Sequence, residues 1–248
     1  MWYNILMDRD LVKILGFDVD SFTFDEAVNY AFETHGQIIT INPEMILNAH
    51  SNPDFANVIR RADLVVPDGV GVELGLKILG HKVRRIAGVE LGKALIVKFS
   101  KEHKSVAMIG AKPEVIDLAV KNLKSELPDL DIVYSHDGYF KDDSVILDQV
   151  VKASPDLVLV ALGSPKQEMF NSHLKDRLPN ATTIGLGGSF DVWAGVVDRA
   201  PKIYQKLCLE WLYRTLKEPK RFKRIFPTLP LFVLKVLHER FTRKKDAN

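Results

Sequence analysis

The chain has 248 residues, 46% hydrophobic and 27% charged, a balance that supports one sizeable buried core and excludes a wholly disordered chain. It has no run of eighteen apolar residues, and residues 1–20 mix acids with apolar side chains, so neither a membrane span nor a signal peptide is expected. The single cysteine, Cys208, excludes an internal disulfide, and the net charge of +2 hides a division: the last 38 residues carry eleven Lys and Arg against three Asp and Glu, a net +8, while the residues before them net −6.

Thr23, with Glu26 three residues later, makes a capping box and starts a helix. Short runs rich in Val and Ile then predict strands at 37–41, 64–66, 106–109, 132–134, 157–162 and 182–185, with amphipathic helices in the gaps. Asn42-Pro43 and Lys112-Pro113 put proline at the first turn of two of these helices. In the second, Val115, Ile116, Ala119, Leu123 and Leu127 recur at steps of three and four and mark a core face. Alternating strands and helices predict an α/β fold: a Rossmann-like, mainly parallel sheet flanked by helices. Arg199-Ala200-Pro201 is the boundary expected between a catalytic core, 1–198, and a basic amphipathic C-terminal appendage, 199–248.

Ligands of open α/β sheets bind outside the carboxyl ends of the strands, so the residues after each run are the candidates. In order these are Thr40 and Asn42; Pro67-Asp68-Gly69; Gly110-Ala111; His136-Asp137-Gly138; Gly163-Ser164-Pro165-Lys166-Gln167; and Gly187-Gly188-Ser189. Glycines admit a close ligand, and helix starts offer N–H groups to a phosphate, which fits a diphosphate-bearing substrate bound at Gly110, Gly187 and Gly188. The plainer reading is that glycines and capping residues end strands in any α/β protein.

Asp68 is the strongest single candidate. A carboxylate in a tight Pro-Asp-Gly turn at a strand exit can take a proton from an attacking hydroxyl, and the alternative is a type I turn aspartate. Three Asp-x-Asp pairs, Asp8/Asp10, Asp18/Asp20 and Asp129/Asp131, have the form of a metal-diphosphate motif, but twenty aspartates in 248 positions make such pairs common by chance, and no metal site is assigned. The stretch Gly185-Leu186-Gly187-Gly188 departs from the dinucleotide fingerprint because Phe190 stands where its last glycine belongs. His136 reads as a turn histidine and Cys208, among Leu207, Leu209 and Trp211, as a buried thiol.

The tail interleaves aromatics and cations, from Trp211, Tyr213 and Arg214 through Lys220, Arg221, Phe222 and Arg224, and then runs apolar over 225–237, broken by Pro227 and Pro230. That run is too short to span a bilayer. It predicts an amphipathic segment lying in the membrane interface with its cations on anionic headgroups. A solvated or self-packing helix and a nucleic-acid surface are the other readings, and nucleic acid has no use for the apolar stretch 229–237.

Together these segments resemble the WecG/TagA/CpsF family of bacterial glycosyltransferases. The resemblance runs in order over nearly the whole chain: Thr40-Ile41-Asn42-Pro43-Glu44-Met45, Ala62-Asp63-Leu64-Val65-Val66-Pro67-Asp68-Gly69, Arg85-Ile86-Ala87-Gly88, His136-Asp137-Gly138-Tyr139-Phe140, Ala161-Leu162-Gly163-Ser164-Pro165-Lys166-Gln167-Glu168, Gly187-Gly188-Ser189-Phe190-Asp191, Glu210-Trp211-Leu212-Tyr213-Arg214 and Glu218-Pro219-Lys220-Arg221. It implies an inverting sugar transfer, without metal or other cofactor, that builds a teichoic acid linkage unit or related surface polysaccharide. In one branch UDP-N-acetylmannosamine is the donor and undecaprenyl-diphosphate-linked N-acetylglucosamine the acceptor.

It further implies a cytoplasmic enzyme, peripheral on the inner face of the cell membrane, whose appendage docks on the bilayer and completes the site. By resemblance Asp68 is the base; Thr40, Asn42 and Gln167 surround the sugar and acceptor; Arg85 lies near the donor; and Arg214, Lys220, Arg221 and Arg224 are appendage cations. The order Ile41-Asn42-Pro43 departs from some relatives and leaves a mannosaminuronic acid or glucose donor open. A homo-oligomer stays open, no nucleic-acid partner is expected, and the rival classes are a dinucleotide-dependent oxidoreductase and a non-catalytic membrane-bound adaptor.

Overall fold

Runs of β-branched residues form a six-stranded, all-parallel sheet in the computed structural model, which describes residues 9–198, 201, 204 and 222–246. The strands are β3 (Gly36–Ile41), β4 (Leu64–Pro67), β5 (Val106–Gly110), β6 (Ile132–His136), β7 (Leu157–Ala161) and β8 (Thr182–Gly185), in the order β4-β3-β8-β7-β5-β6. All six expected strands are present. Every residue of β3, β4, β5, β7 and β8 is buried, as helices on both faces require, whereas the edge strand β6 alternates.

On one face lie α1 (Phe24–Thr34), α5 (Gly88–Lys101), α6 (Pro113–Glu126) and the short α9 (Ser189–Trp193), sharing one apolar cluster with Ile38, Val66, Met108 and Leu159. The other face carries α2 (Pro43–Ser51), α3 (Pro53–Arg60), α7 (Asp143–Ala153) and α8 (Lys166–Arg177) over Ile39, Ile41, Ile109 and Val160. Local chemistry sets the helix starts. Thr23 and Glu26 form the reciprocal capping box, and Asn42 and Asn52 cap α2 and α3 ahead of Pro43 and Pro53.

An antiparallel hairpin, β1 (Leu11–Ile14) and β2 (Phe17–Asp20), was not expected from the sequence. It shields the open edge of β4, an exposed row of backbone groups that invites mispairing when left bare. The clasp is Asp20, fully buried: it accepts the Val65 N–H at 2.8 Å and a two-pronged pair from Arg9, at 2.7 Å to Nε and 2.9 Å to the terminal nitrogen. That hydrogen bond to Asp20 holds the Arg9 guanidinium pKa above its ordinary value. One of the Asp-x-Asp aspartates is therefore a structural anion.

The chain ends in α10 (Phe222–Asp246), which packs on α4 (Gly69–Leu79) and α2. Gly71 and Gly75, four residues apart on α4, form the seat: a Cβ at 71 would stand 3.0 Å from Leu229 Cδ1, and one at 75 would stand 3.0 Å from Phe232 Cε1. Phe232 and Val236 are fully buried there, the Glu239 carboxylate accepts the Leu15 N–H, and Arg240 donates to the Ile78 carbonyl. One face of the amphipathic segment expected in a membrane interface therefore belongs to the protein core. The opposite side shows Leu231, Leu234 and Phe241 to solvent. No helix among the described residues is long and apolar enough to cross a membrane. Arg199, Cys208, Arg214, Lys220 and Arg221 lie outside the described residues, as does the side chain of Arg224.

Replacing Asp20 with alanine strands Arg9 and the Val65 N–H together. We expect a loss of about 3 kcal/mol in unfolding free energy, the low end for breaking a buried pair because Arg9 is partly exposed. Urea titration measures it, and a loss below about 1 kcal/mol, typical of surface pairs, would show that the hairpin is not held this way.

Candidate active site

Asp68 is set by backbone pairing before any side chain acts. Its N–H donates to the Ile41 carbonyl at 2.8 Å, carrying the β3–β4 ladder one residue past Pro67, and α4 begins at the next residue. Its backbone is extended (φ −107°, ψ 137°), which excludes the type I turn, and its carboxylate does not cap α4. The ladder brings Thr40 and Asn42 out beside it at the end of β3.

These three residues share the wall of a cavity of about 490 Å³, within the usual range for ligand pockets. It lies outside the carboxyl ends of β3, β4, β7 and β8, where open α/β sheets bind their ligands. Of the expected residues, Thr40, Asn42, Asp68, Gln167, Gly187 and Gly188 all line it. Two others do not. Arg85 sits half-buried on the segment returning from α4 to α5, its backbone N–H held by Glu73. Gly110 stands one residue behind the wall, and its conformation answers to the sheet: φ is 124° and a Cβ would lie 2.4 Å from the Ala161 carbonyl oxygen, so only glycine fits against β7. Its neighbour Ala111 is the wall residue.

Strand-exit reasoning missed Glu44 and Asn48 on α2 and Asp191 on α9. Glu44 and Asn48 are one turn apart, a spacing that also marks an ordinary solvated helix face, and the polar character of the α2 start was the available signal. Gly88 was missed as well. A Cβ there would lie 3.2 Å from Thr40 Oγ1 and 3.6 Å from Asp68 Oδ2, so the first turn of α5 abuts the carboxylate. A larger groove of about 770 Å³ runs along α5, α6 and Trp193, but no strand-exit residue reaches it. Among the described residues no group of three or more His, Cys, Asp or Glu side chains is arranged to hold a metal ion.

Asn42 uses its Oδ1 to accept the Met45 N–H at 3.0 Å, which leaves its Nδ2 as the donor end. Gln167 is almost fully buried and engaged at both ends: Oε1 accepts the Gly187 N–H at 3.0 Å and Nε2 donates to Glu168 Oε1 at 2.7 Å. One N–H and one lone pair of its amide remain for a ligand. Gln167 thus braces the Gly187-Gly188 turn as well as lining the pocket. Behind it Gln37 donates to the Glu168 carbonyl at 2.8 Å, and burial pushes the Glu168 carboxyl above the ordinary glutamate range, against hydrogen bonds from Gln167 and Ser164. His136 is a turn residue, its Nδ1 against the Asp137 carbonyl and its ring against Tyr134 and Phe140.

Comparison with known proteins agrees with this geometry. A sequence model of the glycosyl transferase WecG/TagA/CpsF family matches residues 12–246. An N-acetylglucosaminyldiphosphoundecaprenol N-acetyl-beta-D-mannosaminyltransferase of Bacillus spizizenii (strain W23) is 38% identical over 230 residues, covering 92% of this chain and 89% of the relative. A protein of the same name from Bacillus subtilis (strain 168) is 38% identical over 218 residues, covering 87% of this chain and 85% of the relative.

The raised Glu168 pKa gives a pH test. A carboxyl favoured in its protonated form by the fold contributes stability that is whole below its ordinary value of 4.5 and is lost as pH rises through the higher folded value. Glu168→Gln keeps a neutral group, so its melting temperature should gain on wild type as pH rises above the ordinary glutamate value of 4.5. A difference that does not vary with pH would mean that Glu168 is charged in the folded protein.

Proposed function

We propose, from the premise that this chain belongs to the WecG/TagA/CpsF family of glycosyl transferases, that it transfers N-acetylmannosamine from its UDP-linked form to the N-acetylglucosamine of an undecaprenyl-diphosphate carrier. The enzyme class follows from the family, and the acceptor and sugar follow the names of the two Bacillus relatives. The observation that supports the site assignment is Asp68 in the wall of a polar pocket at the sheet edge, with Thr40, Asn42 and Gly88 against it.

On this reading the acceptor hydroxyl attacks the anomeric carbon of the donor while its proton passes to an Asp68 oxygen. The bond between that carbon and the diphosphate oxygen breaks, its electron pair leaves on UDP, and attack from the opposite face inverts the centre. Negative charge grows on the departing diphosphate. With the Gly187 N–H held by Gln167, the Gly188 N–H is the turn's donor to it, and Arg214, Lys220, Arg221 and Arg224 are assigned the cationic part, so no metal is required. Nδ2 of Asn42 and the remaining amide N–H of Gln167 hold sugar oxygens. On this reading the enzyme works peripherally, on the inner face of the membrane that carries its lipid acceptor. The names of the two Bacillus relatives favour neither an oxidoreductase nor a different donor.

Asp68→Asn is expected to lower the turnover number by about two to four orders of magnitude, the usual worth of a positioned base, with UDP affinity unchanged. UDP release with a prenyl-diphosphate-linked N-acetylglucosamine reads the first and calorimetry the second. Wild-type turnover would remove Asp68 from the mechanism.

The tail is tested by charge, since deleting it would strip Phe232 and Val236 from the core. Reversing Lys220, Arg221 and Arg224 to glutamate changes the local charge by six and should abolish most sedimentation with vesicles of anionic lipid, each cation near such a surface being worth about 1 kcal/mol. Equal sedimentation of variant and wild type would count against the membrane role.

A further inference from the structure

We propose that the apolar cleft between α4 and α10 receives the leading isoprene units of the polyprenyl acceptor, which makes α10 one wall of a lipid subsite beside Asp68. The inference rests on the functional reading above and says where the lipid part of that substrate goes.

The cleft encloses about 280 Å³ and its lining is almost wholly apolar, with Pro43, Val70, Leu74, Leu229 and Val233 as the principal walls. It is continuous in its walls with the polar pocket, because Asn42 and Glu44 line both, and Gly69 in its wall directly follows Asp68. Only one of the two substrates has an extended aliphatic portion. A nucleotide sugar carries polar groups on every ring and linker and matches an almost wholly apolar recess poorly, whereas a prenyl diphosphate sugar changes from polar to apolar at its diphosphate. The size agrees. At slightly less than the usual lower limit for a whole small ligand, about 300 Å³, the cleft holds the start of a long chain and leaves the rest to the bilayer.

The seat of α10 on α4 explains why the cleft exists. Gly71 lets α10 and Pro43 close to contact at its base, and Leu229 and Val233, four residues apart, point one turn of α10 after another along it. Leu74 is 43% exposed on the opposite wall, the arrangement of a side chain that a ligand would cover.

Farnesyl diphosphate, which has the prenyl and diphosphate parts but no sugar, tests this on the full-length protein. Wild type should bind it, and a diazirine on its prenyl chain should label peptides containing residues 69–74 and 228–233. Leu74→Gln puts an amide where the chain would lie and should weaken binding about five-fold or more, while Leu74→Met stays near wild type and UDP affinity is unchanged in both. Absence of farnesyl diphosphate binding, equal affinity in Leu74→Gln, or labelling elsewhere overturns the subsite. Failure of wild type to release UDP with any prenyl-linked acceptor, with the cleft labelled as expected, would overturn the functional reading and leave the lipid subsite standing.

Discussion

One backbone hydrogen bond, from the Asp68 N–H to the Ile41 carbonyl, ties the proposed base to the sheet. Pro67 has no N–H to give and is tolerated because β4 lies at the edge, so the pairing beyond it depends on Asp68. With that bond in place, Thr40, Asn42 and Asp68 leave two adjacent parallel strands side by side, and α4 must start at Gly69. The position of the carboxylate and the direction of α4 are therefore a single structural choice. The first turn of α5 closes the other side, where a Cβ on Gly88 would crowd Thr40 and touch Asp68.

α4 passes that choice on to the C-terminus. Its two glycines let α10 approach to within side-chain contact, and Phe232 and Val236 fill the space that larger residues would occupy. The interior is close-packed, and a shift of α10 cannot be absorbed locally. It would move α4, and with it the residue that begins it. The basic tail is thereby mechanically joined to the site through a helix that belongs to the core.

The sheet was legible because strands buried on both faces read as short apolar, β-branched runs, as five of the six do, while the edge strand β6 was marked by its Ile132-Val133-Tyr134 run. The hairpin was not, since Leu11–Ile14 and Phe17–Asp20 are only four residues each, and the second ends in an acid, Asp20, whose partners, Arg9 and the Val65 N–H, lie outside both strands. The site divides along the same line. Thr40, Asn42, Asp68, Gln167, Gly187 and Gly188 were legible as strand exits, because topology sends such residues to one edge. Glu44, Asn48 and Asp191 lie on helices, where an acid or amide is indistinguishable from solvated surface until the helix is placed. Gly110 misled for a physical reason: a glycine needed for strand packing and a glycine needed for a ligand look identical in sequence. The tail misled in part because a face packed on α4 and a face packed on lipid demand the same apolar residues.

The two cavities then set a condition on what reaches the base. The polar pocket penalises an isoprenoid, which would desolvate Asn42, Glu44 and Asp68 without replacing their hydrogen bonds, and the apolar cleft penalises a nucleotide for the opposite reason. Discrimination is a difference between affinities, and here both terms work against the wrong partner. On the proposed reading, a molecule presents a hydroxyl to Asp68 with its affinity intact only if it is polar on one side of the Asn42–Glu44 boundary and apolar on the other. A free sugar loses the cleft, and a bare lipid loses the pocket. On that same reading, placing the base at the junction of the two makes the amphipathic character of the acceptor itself the feature that is recognised.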